Sequence, residues 1–508
     1  MTPSGVEMGG DPLSPCTVRA RRPPGLGPPS QQTLRLRRRT HAPPGVHAEE
    51  HRSRRREGYG MRRWLWLRGS WRLALALALA LAVRAGARAD TVLPAATPES
   101  AGMSSAALAR LDPLIEGLIA KGDMPGAVVV IARRGSVVYR KAYGRRALYP
   151  VPQANAVDTI YDLASMTKPI GTATAVMKLV EEGRVRLWDR VAFYDPAFAQ
   201  HGKSQVTVEE LLDHSAGLPS ALNEAQSVLP EAQGEAIVDA MPLHFAPGTR
   251  FEYCNTCYVE LARIVRLVSG MPIKEFDAKE LFGPLGLASS LLFDPPENLQ
   301  ARVSPEAPAA QGRYLRGRFV IEGHGAIGAQ GHAGLFGTAD AVAAYAQMLL
   351  NGGELGGVRI LSPATVAAML RPYYLGRHSQ RMGDVRGLGW DEETTYSSNS
   401  GDIFGVGGFG HTGSTGCSLW VDPATQTIVV LLTNSAHAPH ANDDDVIRLY
   451  AKVSTIAAGA IVDPAALRAM QLEAAAWSAQ VAAQAPGFDG WASFDQRLWS
   501  RTGKGTEY

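Results

Sequence analysis

Two hairpin signals sit near opposite ends of the sequence, and they constrain the fold more than any other feature. After the breaker Pro125-Gly126, the runs AVVVIARR and SVVYRKAY flank Gly135 and read as one β-hairpin. SLWVDPATQTIVVLLTN, beginning at Ser418, reads as a second. Between them the apolar spacing is helical. Thr207-Val208-Glu209-Glu210 is a capping box opening a short helix. YVELARIVRLVSG is an amphipathic helix stopped by Gly270, and AVAAYAQMLLNGG is another. Leu108, Leu111, Leu114, Ile115, Leu118 and Ile119 predict a helix over 105–121, and a further helical stretch runs from about Asp443 to Ile461. The expected fold class is therefore α+β: one antiparallel sheet assembled from the N- and C-terminal strands, flanked by helices, with an inserted, mainly helical lobe. No internal repeat is present.

The chain has 508 residues, 45% of them hydrophobic, which supplies ample core. Residues 1–60 are Pro- and Arg-rich, lack apolar periodicity and are expected to be a disordered or untranslated extension, the alternative being a long basic leader. Residues 61–89 have a basic start, an apolar run from Leu73 to Val83 and the small-x-small ending Ala87-Arg88-Ala89, the pattern of a secretory signal peptide. Translation is expected to start at Met61, and the product to be exported, periplasmic or secreted, with no membrane span after signal removal. A folded domain is expected over 90–462, and residues 463–508 form a C-terminal extension without an assigned role. Removing 1–89 takes away 17 of the 51 basic and 5 of the 48 acidic residues, leaving a formal charge of −9. A nucleic-acid partner thereby loses its main argument. The exported chain keeps Cys254, Cys257 and Cys417, an odd number unlike a disulfide framework. Cys254 and Cys257 are expected as small buried packing residues, against the alternative of a redox pair at a helix N-terminus.

The chemistry concentrates around LASMTKPI. Ser165 and Lys168 stand three apart at the start of SMTKPIGTATAVMKLV, so on a helix they share a face and the amine reaches the hydroxyl. A serine is a poor nucleophile until something takes its proton. An ordinary lysine, with a pKa of about 10.4, needs roughly three units of depression, about 4 kcal/mol, to serve as that base. Burial among Leu163, Met166 and Ile170 pushes that way; alternatively Lys168 stays charged and lowers the pKa of a neighbouring tyrosine.

Farther along, PGTRFEYCNTCYVELARIVRLVSG holds Tyr253-Cys254-Asn255, and GVGGFGHTGSTGCSLWVDP holds His411-Thr412-Gly413. Three motifs in this order resemble the serine β-lactamase and penicillin-binding protein family, and more closely its class C-like branch of esterases, D-aminopeptidases and DD-peptidases. DHSAGLP at 213–219, GHAGLFGTADAVAAYAQMLLNGG at 331–353 and RGLGWDEETTYSSNSGD at 386–402 extend the resemblance to roughly 95–460. The resemblance implies that Ser165 forms an acyl-enzyme while Lys168 and Tyr253 shuttle its proton. It implies too that Asn255 holds the substrate amide or the lysine, and that His411, Thr412 and Gly413 line the cleft. The oxyanion hole would be formed by the N–H groups of Ser165 and Ser414.

One departure bears on substrate. The third motif begins with His411 where class C β-lactamases have lysine, and a neutral imidazole holds a carboxylate less strongly than a permanent cation. The expected substrate is therefore a D-amino-acid peptide of the cell wall or a small ester. The alternatives are a weak β-lactamase and a penicillin-binding sensor that acylates without turnover. No HxH or HExxH pattern occurs among His214, His324, His332, His437 and His440, so neither a metal nor another cofactor is expected. Asp443-Asp444-Asp445 reads as a helix start, and Trp390 and Tyr396 either wall the cleft or pack beside it.

Overall fold

A computed structural model describes residues 92–220, 231–305, 308–309, 313–314, 316–317, 331–379, 382–394, 396–438 and 442–484. The extension 1–60, the signal-like segment 61–89, His324, His440 and residues 485–508 lie outside them.

The strand Gly126–Arg133 pairs antiparallel on one side with Ser136–Ala147 and on the other with Thr427–Thr433, with Val130 facing Val430. The two hairpins thus share one sheet, as their sequence positions require. Among the described residues it has nine strands, in the order Tyr373–Ser379, Met382–Arg386, Asp391–Glu393, Phe409–Gly413, Cys417–Asp422, Thr427–Thr433, Gly126–Arg133, Ser136–Ala147, Gln153–Ala154.

The near-continuous apolar run of Gly126–Arg133 reflects burial on both faces. Successive strand side chains point to opposite sides. Val128, Val130 and Ala132 join the large core with Met166 and Ile170, whereas Ala127, Val129 and Ile131 join a second core with Leu111, Ile115, Leu449 and Val453. The helices Leu111–Lys121 and Asp443–Gly459 cover that second face. Each fully buried Val or Ile contributes about 1.5–3 kcal/mol, so the central strands anchor both layers.

The expected 105–121 helix is interrupted, running as Ser105–Leu108 and then Leu111–Lys121. Pro113 has no N–H to give the carbonyl four residues back, which favours the break. The capping box forms: Glu210 N–H reaches the Thr207 hydroxyl at 3.3 Å and Thr207 N–H reaches the Glu210 carboxylate at 2.7 Å. The helix Asn255–Ser269 ends on Gly270 at φ 79°, a left-handed conformation that glycine adopts freely. Residues 464–484 of the C-terminal segment form a helix, Pro464–Gln484. It docks through Trp477 and Val481 onto Val385, and the Trp477 indole N–H donates to Glu392 at 2.8 Å. Among the described residues no helix is long and apolar enough to cross a membrane.

Candidate active site

The segment Leu163–Lys168 is delivered by the short strand Tyr161–Asp162 and fixed by backbone bonds before it becomes helical. Leu163 N–H donates to Leu335 O at 2.9 Å, and Ala164 N–H to the Asp162 carboxylate at 2.7 Å. Ala164 itself has φ 46°, a left-handed conformation costing a Cβ-bearing residue roughly 1–2 kcal/mol. Asp162 below and the Thr167 hydroxyl, which donates to Ala164 O at 2.6 Å, hold it there. The single helix expected from Ser165 is instead a 3₁₀ turn Ala164–Met166, a π turn Lys168–Ala173 and an α-helix Thr174–Glu181. Pro169 lies in the π turn, and its carbonyl accepts the Thr174 hydroxyl at 2.9 Å and the Tyr345 hydroxyl at 3.4 Å.

Lys168 is wholly buried, and its Nζ lies 3.0 Å from Ser165 Oγ. It also donates to His332 O at 2.9 Å. Nζ stands 4.9 Å from the Tyr253 ring centre and 5.9 Å from that of Tyr258. Among the described residues no carboxylate pairs with it. Burial, and then the Arg386 guanidinium, push its pKa well below the ordinary lysine value. Burial pushes the Tyr253 phenol up, while its hydrogen bond with Ser165 pulls the other way. Both groups are thus driven toward their neutral forms.

The remaining predicted residues fall as follows. Asn255 is the first residue of the helix Asn255–Ser269; its N–H donates to Ser220 O at 2.6 Å and its buried side-chain oxygen has no hydrogen-bond partner among the described residues. The His411 ring centre lies 6.0 Å from that of Tyr253. His411 Nδ1 donates to Thr412 O at 2.7 Å, and burial followed by the Arg386 and Lys168 charges holds its pKa well below the ordinary value. Burial thus favours the neutral form of the imidazole. Gly413 presses on the segment that carries Ser165: a Cβ there would meet Leu163 O at 2.4 Å. Thr412 is half-buried, and Ser414 is exposed in the turn that follows.

One reading changes. Cys254 and Cys257 are buried as expected, but they are joined by a disulfide rather than packed as separate thiols. A spacing of three across the first helical turn brings their Cα atoms to 5.4 Å, within disulfide reach. Cys417 is a buried thiol that donates toward the carbonyl oxygens of Asp162 and Thr433. Trp390 is a fully buried packing residue against Phe409, while half-buried Tyr396 lies 5.4 Å from the Tyr253 ring and flanks the site.

Three contributors went unassigned in the sequence: the His332 carbonyl, His214 and Arg386. Each lies in one of the three extra segments quoted above for the resemblance, which was the available signal. Arg386 is 1% exposed, donates to Asp391 at 3.1 Å and sits 5.2 Å from the Phe251 ring centre.

Comparison with known proteins follows this geometry. The family profile described as Beta-lactamase matches residues 111–452. A protein of Escherichia coli (strain K12) named "Putative D-alanyl-D-alanine carboxypeptidase" is 29% identical over 387 residues, covering 69% of this chain and 87% of the relative. Among solved structures, an octameric penicillin-binding protein homologue from Pyrococcus abyssi superposes with TM-score 0.54 at 26% identity over 68% of this chain and 76% of that one. EstCE1, a hydrolase with promiscuous acyltransferase activity, gives TM-score 0.57 at 24% identity over 70% of this chain and 99% of that one. A class C beta-lactamase gives 0.56 at 19% over 69% and 98%. The last two likenesses, under 25% identical, establish the fold alone.

Proposed function

The chain belongs to the beta-lactamase family of serine hydrolases, and from that premise we propose that it is an exported acyl-transfer enzyme acting through Ser165, with a D-amino-acid peptide of the cell wall as substrate. The observation that carries this reading is the wholly buried, carboxylate-free Lys168 amine at 3.0 Å from Ser165 Oγ. The carboxypeptidase name of the relatives supports the substrate class. The neutral His411 supports peptides and small esters over efficient β-lactam hydrolysis. The signal-like segment 61–89 and the Cys254–Cys257 disulfide support an oxidising, exported location.

In the proposed cycle, the neutral Lys168 amine accepts the Ser165 proton as Oγ attacks the scissile carbonyl. The N–H groups of Ser165 and Ser414 take the oxyanion. Tyr253, held as a phenol, gives its proton to the departing amine and is reprotonated from Lys168. The unpartnered Asn255 side-chain oxygen is suited to accept the substrate amide N–H. Water then attacks the acyl-enzyme ester, releasing the acid and restoring Ser165. Of the two readings open at Lys168, burial of both amine and phenol favours the amine as base over a tyrosinate.

The test is turnover of a peptide ending in D-Ala-D-Ala and of a p-nitrophenyl ester, beside labelling with a fluorescent penicillin. Release of D-alanine by the native protein and its loss in Ser165→Ala is the expected result. Turnover that survives in Ser165→Ala overturns the assignment, and a stable penicillin label without any turnover favours a sensor.

A further inference from the structure

His214, in the segment DHSAGLP, grips the chain on both sides of Tyr253 and contacts its ring as well. Its carbonyl accepts the N–H of Glu252, the residue before the tyrosine, at 3.1 Å. Its Nδ1 accepts the N–H of Cys254, the residue after, at 3.0 Å. Its ring stacks on the phenol ring with centres 4.7 Å apart and planes at 30°. Tyr258 also packs against the imidazole, with ring centres 5.0 Å apart.

The fold maintains this arrangement against a local cost. His214 is 0% exposed and has φ 65°, the left-handed region that a Cβ-bearing side chain seldom adopts. The neighbouring Asp213 carboxylate secures the turn by accepting both the N–H and the hydroxyl of Ser215, at 3.0 and 2.6 Å. Because Nδ1 accepts a backbone N–H, the ring proton of the neutral imidazole must be on Nε2. A strained, buried, singly tautomeric histidine clamped to three consecutive residues is more than filler.

We infer that His214 is a positioning residue for Tyr253: it sets the angle from which the phenol addresses Ser165 and does not itself touch substrate. The inference rests on the proton-transfer role proposed above for Tyr253. It belongs to acylation and predicts a loss in rate with little change in binding, since a small displacement of a proton donor costs orders of magnitude in a reacting geometry.

Single-turnover acylation by a p-nitroanilide, whose departing amine needs the proton that Tyr253 gives, normalised to the Ser165 hydroxyls titrated in a p-nitrophenyl acetate burst, is measured for H214A, H214N, Y253F and the double variant Y253F/H214A. H214A is expected to acylate about tenfold to 100-fold more slowly with KM within about threefold. H214N, whose side chain tolerates the left-handed backbone and offers an acceptor to Cys254 N–H but no stacking face, is expected to fall between H214A and the native protein. In the double variant the histidine change adds nothing beyond Y253F. Native acylation by either H214 variant, or losses that multiply in the double variant, overturn the inference while leaving the Tyr253 role standing. Native acylation by Y253F overturns both. Normalisation to titrated sites removes any loss due only to unfolded molecules, and H214N supplies the same decision should H214A fail to fold.

Discussion

One helix, Asn255–Ser269, borders two basic side chains, the buried Lys168 and the largely enclosed Arg263, that are treated in opposite ways. Near its start, beside Tyr253, Lys168 is enclosed with hydroxyl and carbonyl oxygens as its hydrogen-bond partners. Two turns on, Arg263 is ringed by carboxylates: its nitrogens lie 2.8 Å from Asp195, 2.9 Å from Asp239, and 3.7 Å from both Glu235 and Glu260. Burial works against the charge on Arg263, but the Glu260, Asp239 and Asp195 carboxylates outweigh it and push its pKa up. At Lys168 nothing offsets burial, so the pKa falls. The lesson is that burial alone does not make a reactive amine; burial without a counter-charge does. Asp195, Asp239 and Glu260 also bring their oxygens within 4.8 Å of one another, and the guanidinium already supplies the cation that such a group calls for.

The sharpest way to break the comparison is Lys168→Met, which removes the amine and keeps the bulk. We expect kcat/KM on a p-nitrophenyl ester to fall about 10³-fold or more. The thermodynamic side carries a sign that can be checked. The unfolded chain binds a proton at Lys168 throughout the neutral range, while the folded chain binds it less tightly, so native stability gains a component that rises with pH toward the ordinary lysine range. Urea unfolding of Lys168→Met from pH 6 to pH 9 should lack that component; an unchanged slope shows that Lys168 is charged in the fold.

Arg263→Met should do the reverse. It takes the cation from Asp195, Asp239 and Glu260, while Glu235 keeps Arg266, and a loss of about 3–5 kcal/mol in unfolding free energy is expected. The acylation rate per titrated Ser165 should stay within about threefold of native. If Arg263→Met abolishes chemistry in well-folded protein, the two regions are not separable as described.

Tyr253→Phe comes next, with an expected loss of about 10²-fold in kcat and little change in KM. Equal losses in kcat and binding would assign the phenol to substrate recognition instead. The effect farthest from the chemistry concerns Glu392, a buried carboxyl that accepts the Trp477 indole N–H and is pushed up to about 8 by burial. Its raised pKa favours folding below the ordinary glutamate range, and that advantage is lost as pH rises through about 8. Glu392→Gln should therefore gain on the native protein as pH increases from 4.5 to 8, by at most about 1.4 kcal/mol per pH unit. A difference that is flat with pH would mean the carboxyl is already ionised in the fold.

Much of this was legible in the chain itself. The double-faced apolar run 127–132 and its partner 428–432 announced a shared central sheet, because a strand buried on both sides cannot afford polar positions. The serine and lysine were legible because their spacing is local. The break before Leu111 and the π turn at Lys168–Ala173 were harder to read, since a proline within a helical pattern leaves several backbone outcomes open. The Cys254–Cys257 bond was missed for a different reason: an odd cysteine count argued against pairing, whereas the helical turn brought two of the three together. The docking of helix Pro464–Gln484 was also unreadable, because an Ala-rich stretch carries little directional pattern and Trp477 decides its seat.

By itself the sequence determined which groups are available for chemistry and which strands must be central, since residue type and period are local properties. Only the tertiary structure decided the state of those groups. The amine at Lys168 is driven toward neutrality because distant segments, among them 332 and 386, enclose it without supplying a carboxylate, and the imidazole of His214 faces Tyr253 because a strained turn at 213–215 turns it there. Solvation and charge pairing are sums over neighbours in space, and those neighbours are set by the fold.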